Sequence, residues 1–151
     1  MKSIKHFEEF LRLGVAKKQS PDKSRSAFLV KEAEKSHRSL LEMVQKLGVG
    51  DLHVDNYVKE GHDILMSFVR AKMLIDGYSA SGWGGHEAEV SYLRNLGFSE
   101  NEVQFADQLR FFRNGILYYG TELDAGYALK VLDFIKEMIP KLRNILESKR
   151  S

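Results

Sequence analysis

Two arginines, an asparagine and two tyrosines lie close together in this chain, as Arg110, Arg113, Asn114, Tyr118 and Tyr119. Their chemistry suits a phosphate-bearing ligand. A guanidinium grips phosphate oxygens in a planar fork, an amide orients a polar group, and aromatic rings stack on bases. His86, beside a glycine-rich turn, is the histidine nearest to this group in the sequence. The plainer reading of an arginine with an asparagine on a helix is an ion pair and a solvated amide. Other chemistry finds less support. The five histidines, His6, His37, His53, His62 and His86, make no metal-ligand spacing such as HExxH. No nucleophile elbow is present. With no cysteine, thiolate catalysis, disulfides and cysteine metal sites are excluded. No metal or cofactor is implied.

These residues need a scaffold, and its periodicity is helical throughout. Residues 101–120 read as one helix with a stripe of Phe105, Leu109, Phe112 and Ile116, with Gly115 inside it and Gly120 as its stop. A glycine in mid-helix costs ~1 kcal/mol relative to alanine, so Gly115 suggests a close backbone approach. The far side carries Asp107, Phe111, Asn114 and Tyr118, with Arg113 on the flank. A second face mixing aromatic and polar groups suggests a second partner, either another helix of the bundle or another chain. Ser99 and Glu102 form a capping box ahead of this helix.

Upstream, residues 3–15 read as a short helix. Ser20 and Pro21 open a second one, which runs to about Leu47. Its stripe of Leu29, Val30, Ala33, His37, Leu40, Leu41 and Val44 makes His37 a half-buried packing residue. Asp55 caps a third helix reaching Asp76, with Tyr57, Gly61, Ile64, Phe68, Ala71 and Ile75 as its core line. Asp63, Ser67 and Arg70 align on another face. They read either as a surface polar row or as an acidic residue facing Arg113 across the bundle. The Gly77–Gly85 stretch is a flexible connection. It lacks the lysine and spacing of a P-loop, and no strand precedes it. A helix from about His86 to Asn95 follows. The last helix starts after Thr121, with Asp124 as its capping partner, and runs through Pro140, which bends it without ending it. Nothing reads as a strand.

The sum is an all-α, antiparallel up-and-down bundle of four to six helices. It forms a single domain over 1–151, with a core at about 22–147 and an N-terminal helix and linker at 1–19. No apolar run approaches the ~18 residues of a membrane span, and MKSIKHFEEF is not a secretory signal. The expectation is a cytoplasmic protein with no membrane association. The net charge of +2 is unevenly spread. Residues 1–50 carry +5, residues 51–100 carry −4 and residues 101–151 carry +1. The basic first third is either a solvated helix face or a surface for phosphate backbones.

The stretch LRFFRNGILYYG, preceded by KMLIDGYSASGWGGHEAEVSYLRNLGFSENE, resembles the HEPN family of all-helical domains. The likeness covers roughly residues 25–147. It rests on the Arg-Asn pair Arg113–Asn114, the Tyr-Tyr-Gly finish, and the order Gly77, Tyr78, His86, Glu87, Ala88. It implies an up-and-down bundle that forms a homodimer through the motif helix. Many members are metal-independent ribonucleases, often toxins paired with nucleotidyltransferase-type antitoxins, while others bind nucleotides without cleavage. In the nucleases, arginine holds the scissile phosphate and histidine moves the proton. Here Arg113 and Asn114 match, but the histidine position is taken by Tyr118. A phenol with a pKa near ~10 is far from the ~7 suited to a general base. The resemblance therefore implies a nucleotide- or RNA-binding module with weak or no cleavage, lined by Arg110, Arg113, Asn114, Tyr118 and Tyr119. One alternative is an active endoribonuclease in which His86 supplies the proton transfer, from another helix or from the partner chain. The other is a structural module in which Arg113 and Asn114 only bridge subunits.

Overall fold

The computed structural model describes residues 3–115 and 123–148. It is an all-α helical bundle of six helices with one very small sheet. The helices are α1 (Phe7–Arg12), α2 (Lys23–Leu47), α3 (Val54–Asp76), α4 (Gly85–Asn95), α5 (Glu100–Arg113) and α6 (Ala125–Ser148). Among the described residues no helix is long and apolar enough to cross a membrane.

The bundle is built around α3. Tyr57, Ile64, Leu65, Met66, Phe68, Val69, Ala71 and Leu74 are all nearly inaccessible to water, and together they cover most of its circumference. Helices α2, α4, α5 and α6 all pack against it. The expected core line of α3 is correct except at Ile75, which is half-buried. Gly61 is where α6 comes closest. A Cβ there would stand 3.1 Å from Val131 Cγ1 and 3.3 Å from Ile135 Cγ1. Helix α2 is fixed by Ser26, whose hydroxyl donates to the Ala71 carbonyl at 2.7 Å inside the core. The Tyr57 hydroxyl donates to the Gly48 carbonyl at 2.7 Å and ties down the turn between α2 and α3.

Several local expectations are corrected. Helix α2 is capped by Asp22, whose carboxylate accepts from the Arg25 N–H, and not by Ser20. His53 stands at the N-cap of α3, and Asp55 lies inside its first turn. Strands do occur: β1 (Ala16–Lys18) pairs antiparallel with β2 (Tyr78–Ala80), with Lys17 opposite Ser79. Part of the Gly77–Gly85 connection is therefore strand. Gly77 must take a left-handed φ of +86° to turn the end of α3 into β2. The capping box holds, with Glu102 N–H donating to Ser99 Oγ and Ser99 N–H to Glu102 Oε1. Thr121 lies outside the described residues. The first turn of α6 is closed by Asp124, which accepts from Tyr127 N–H at 2.9 Å, and the helix continues through Pro140.

The packing at Gly61 gives a stability prediction. Gly61→Leu forces Val131 and Ile135 aside and should cost about 1–3 kcal/mol. In a thermal melt, that is roughly 2–4 °C lost per kcal/mol for a chain of this size. An unchanged melting temperature would mean that α6 does not sit this close to α3.

Candidate functional site

Helix α5 stops earlier than its apolar stripe suggests. Arg113 is its last residue and Asn114 its C-cap, with the Asn114 N–H donating to the carbonyls of Arg110 and Phe111. Gly115 follows with φ +79°, the left-handed stop usual at a helix end. It is therefore not a mid-helix contact point, and a Cβ there would meet nothing within 4 Å. Arg110 and Arg113 occupy the last turn, where positive charge suits the helix dipole. Tyr118, Tyr119, Ile116 and Gly120 lie outside the described residues.

The two arginines have different surroundings. Arg110 Nε donates at 2.8 Å to Asp107, whose side chain is only 1% exposed. Asp107 is thus a buried partner and not part of an open polar face. The Arg110 guanidinium also lies 4.6 Å from the Phe111 ring centre. It is held against its own helix.

Arg113 reaches across to α3, where its Nε donates to Asp63 Oδ1 at 3.2 Å. The sequence row Asp63, Ser67, Arg70 does face other helices, and Asp63 is the acidic residue opposite Arg113. Asp63 also bonds His62 Nδ1 at 3.0 Å. Partial burial works to raise the Asp63 pKa. The hydrogen bonds from His62 and Arg113, with the positive charge of Arg113, outweigh that effect and bring the pKa below the ordinary value.

Beside this pair is a cleft of about 260 Å³, lined among the described residues by Asp55, Asn56 and Lys59 of α3, by Phe112, Arg113 and Gly115, and by Val58 and Leu123. Lys59 and Arg113 bring two cations to it; Asp55 lines it as a carboxylate, and Asp63 balances Arg113 from beside it. Among the described residues only the Nε of Arg113 is engaged, and neither terminal nitrogen has a partner. Asn114 is exposed at the same helix end but does not line the cleft among the described residues.

His86 belongs to a different constellation. Its Nδ1 is 3.3 Å from Glu89 Oε1, and Glu89 makes a two-point pair with Arg70 at 2.7 and 3.3 Å. No hydrogen bond joins His86 to Arg113, and His86 does not line the cleft. The histidine that does adjoin Arg113, through Asp63, is His62. Its side chain is 9% exposed, and its Nε2 is buried with no hydrogen-bond partner. A signal for this was present in the sequence. His62 falls at helical spacing with Val58, Leu65 and Val69, all of them buried, so a polar ring was bound to enter the interior there.

Among the described residues no group of three or more histidine, aspartate or glutamate side chains converges as a metal site. No protein-family model matches this chain, no curated protein matches its sequence, and no solved structure matches it.

The Asp63 bridge sets up a titration. Its lowered pKa means that the bridge stabilises the fold above the ordinary carboxylate range and is lost as the pH falls through the Asp63 pKa. Arg113→Ala should raise the Asp63 pKa, read by NMR titration of the side-chain carboxyl carbon. No change would mean that Arg113 does not hold Asp63 in solution.

Proposed function

We propose that this chain is a HEPN-like module that binds a phosphate-bearing ligand, a nucleotide or RNA, at the end of α5. The observation that carries this reading is the state of Arg113. Asp63 takes its Nε and fixes the plane of the guanidinium, while the terminal nitrogens stay without a partner among the described residues beside the cleft. Phosphate recognition by arginine needs that arrangement: a fork pre-oriented by one carboxylate, with further donors still unspent. Lys59 adds a second charge to the cleft. Asn114 stands at the same helix end and is the second member of the Arg-Asn pair. Two copies meeting through α5, and a nucleotidyltransferase-type protein partner, follow from the HEPN likeness and belong to the same proposal.

Binding is favoured over cleavage because no imidazole lines the cleft among the described residues. His62 is the nearest candidate, and its Nε2 has no contact with solvent. One observation supports the second reading, a metal-independent endoribonuclease. With its Nδ1–H donating to Asp63, His62 keeps the Nε2 lone pair of a general base. That reading requires Nε2 to become exposed when RNA binds.

The binding test is a fluorescence-anisotropy titration of a short single-stranded RNA. Arg113→Ala should weaken affinity about tenfold or more, the value of losing a charged hydrogen-bonding group, with the circular dichroism of the fold unchanged. The affinity should also fall as salt rises. Unchanged affinity in a folded Arg113→Ala variant would remove the site. The enzyme reading is tested by incubating RNA with the protein and a chelator. Cleavage that disappears in both Arg113→Ala and His62→Gln would favour it, and intact RNA would leave the binding reading standing.

A further inference from the structure

A second cavity, of about 280 Å³, lies at the other end of α3, and no lining residue is shared between it and the Arg113 cleft. Met73 and Leu74 give it an apolar wall, the Arg70–Glu89 pair a charged one, and Arg25 of α2 stands at it as well. Strand β2 forms the remaining side.

The strand register decides which backbone groups that side offers. The Ser81 N–H donates to the Val15 carbonyl, and the Gln19 N–H to the Gly77 carbonyl. These are the hydrogen-bonded pairs on either side of Lys17 opposite Ser79, two residues apart. Tyr78 and Ala80 fall between them, so their N–H and C=O groups point away from β1. None of those four groups bonds another described backbone group. The outer edge of β2 therefore offers the Tyr78 N–H, the Tyr78 C=O and the Ala80 N–H in order along the strand, a pattern for a planar ligand with complementary groups, while Gly85 packs beside the Ala80 carbonyl.

We infer that this cavity binds the base of an adenine nucleotide. The adenine N6 amino group donates to the Tyr78 carbonyl, and N1 accepts from the Ala80 N–H. The base then lies in its plane against Met73 and Leu74. Guanine is disfavoured there, because with its N1–H and O6 on the same two groups its N2 amino group faces the Tyr78 N–H. The cavity is at the small end of ligand sites, large enough for a base, so the ribose and phosphate extend outward. Arg25 meets the phosphate: it is exposed, and its guanidinium makes no ion pair or hydrogen bond with a described residue. Arg70 spends Nε and Nη2 on Glu89 and keeps Nη1 for the ligand.

The experiment is isothermal titration of the full chain with AMP, adenosine and GMP, repeated on three variants. Arg25→Ala should weaken AMP about tenfold and leave adenosine unchanged. Ala80→Pro removes the outward N–H without touching a β1–β2 bond, a position where an edge strand tolerates proline, and should weaken AMP and adenosine alike. GMP should bind at least about tenfold more weakly than AMP. Arg113→Ala removes whatever AMP the α5 cleft holds and should leave the part of the binding that depends on Arg25 and Ala80. If Ala80→Pro does not fold, the contrast between AMP and adenosine in Arg25→Ala decides alone. Absence of AMP binding, equal binding of GMP, or AMP binding that Arg25→Ala leaves intact overturns the inference. AMP binding lost in Arg113→Ala but kept in the two cavity variants also overturns it, and assigns the nucleotide to the Arg113 cleft instead.

Discussion

Helix α3 is enclosed by four other helices, and its ionisable residues cannot all rely on water. A buried charge without a partner costs several kcal/mol. Several of its charges are met by specific groups. Asp63 has Arg113 of α5, Arg70 has Glu89 of α4, and Lys72, 4% exposed, has Asp76 one turn on at 2.6 Å. Asp76 in turn accepts the Tyr92 hydroxyl of α4. These pairs set how α4 and α5 lie against the central helix, because the wrong rotation of either would leave a carboxylate or a guanidinium unmatched.

The same constraint generates the two candidate sites. Near the first half of α3, holding Asp63 takes one nitrogen of Arg113 and leaves the rest of its fork beside the cleft. Near the last turns, holding Glu89 takes two nitrogens of Arg70 beside the second cavity. In both places a pairing required for burial also pre-orients a guanidinium. His62 is the exception: its Nδ1 is satisfied by Asp63, and its buried Nε2 by no described residue. An unpaired buried nitrogen is a cost that a purely structural position would be expected to shed.

Much of the fold was legible because helical periodicity is a strong signal. The ends of α2 at Leu47 and α3 at Asp76, the α4 segment and the Ser99–Glu102 box all follow from stripe spacing and capping chemistry. The strands were not legible, since three residues such as Ala16–Lys18 are too few to establish an alternating pattern. The end of α5 was obscured by Ile116, which prolongs the apolar spacing beyond the Asn114–Gly115 stop. At the site, Asp63 opposite Arg113 was readable from its row with Ser67 and Arg70. Within the chain the His86 ring meets Glu89, and closeness in sequence to the Arg113 helix says nothing about which carboxylate a ring meets. Glu89 takes its importance from its contact with Arg70 of another helix, and periodicity along one helix does not encode that, whereas the burial of His62 was readable from its spacing with Val58, Leu65 and Val69.

The central claim is that Asp63 holds Arg113 by Nε alone and leaves its terminal nitrogens for phosphate. Nitrogen-15 NMR of the arginine side chains during a titration with a dinucleotide tests it most directly. The account predicts that the Arg113 terminal nitrogens shift and slow in exchange as ligand is added, while the Nε–H bonded to Asp63 persists. Arg113 terminal nitrogens that stay unperturbed at saturating dinucleotide would contradict it.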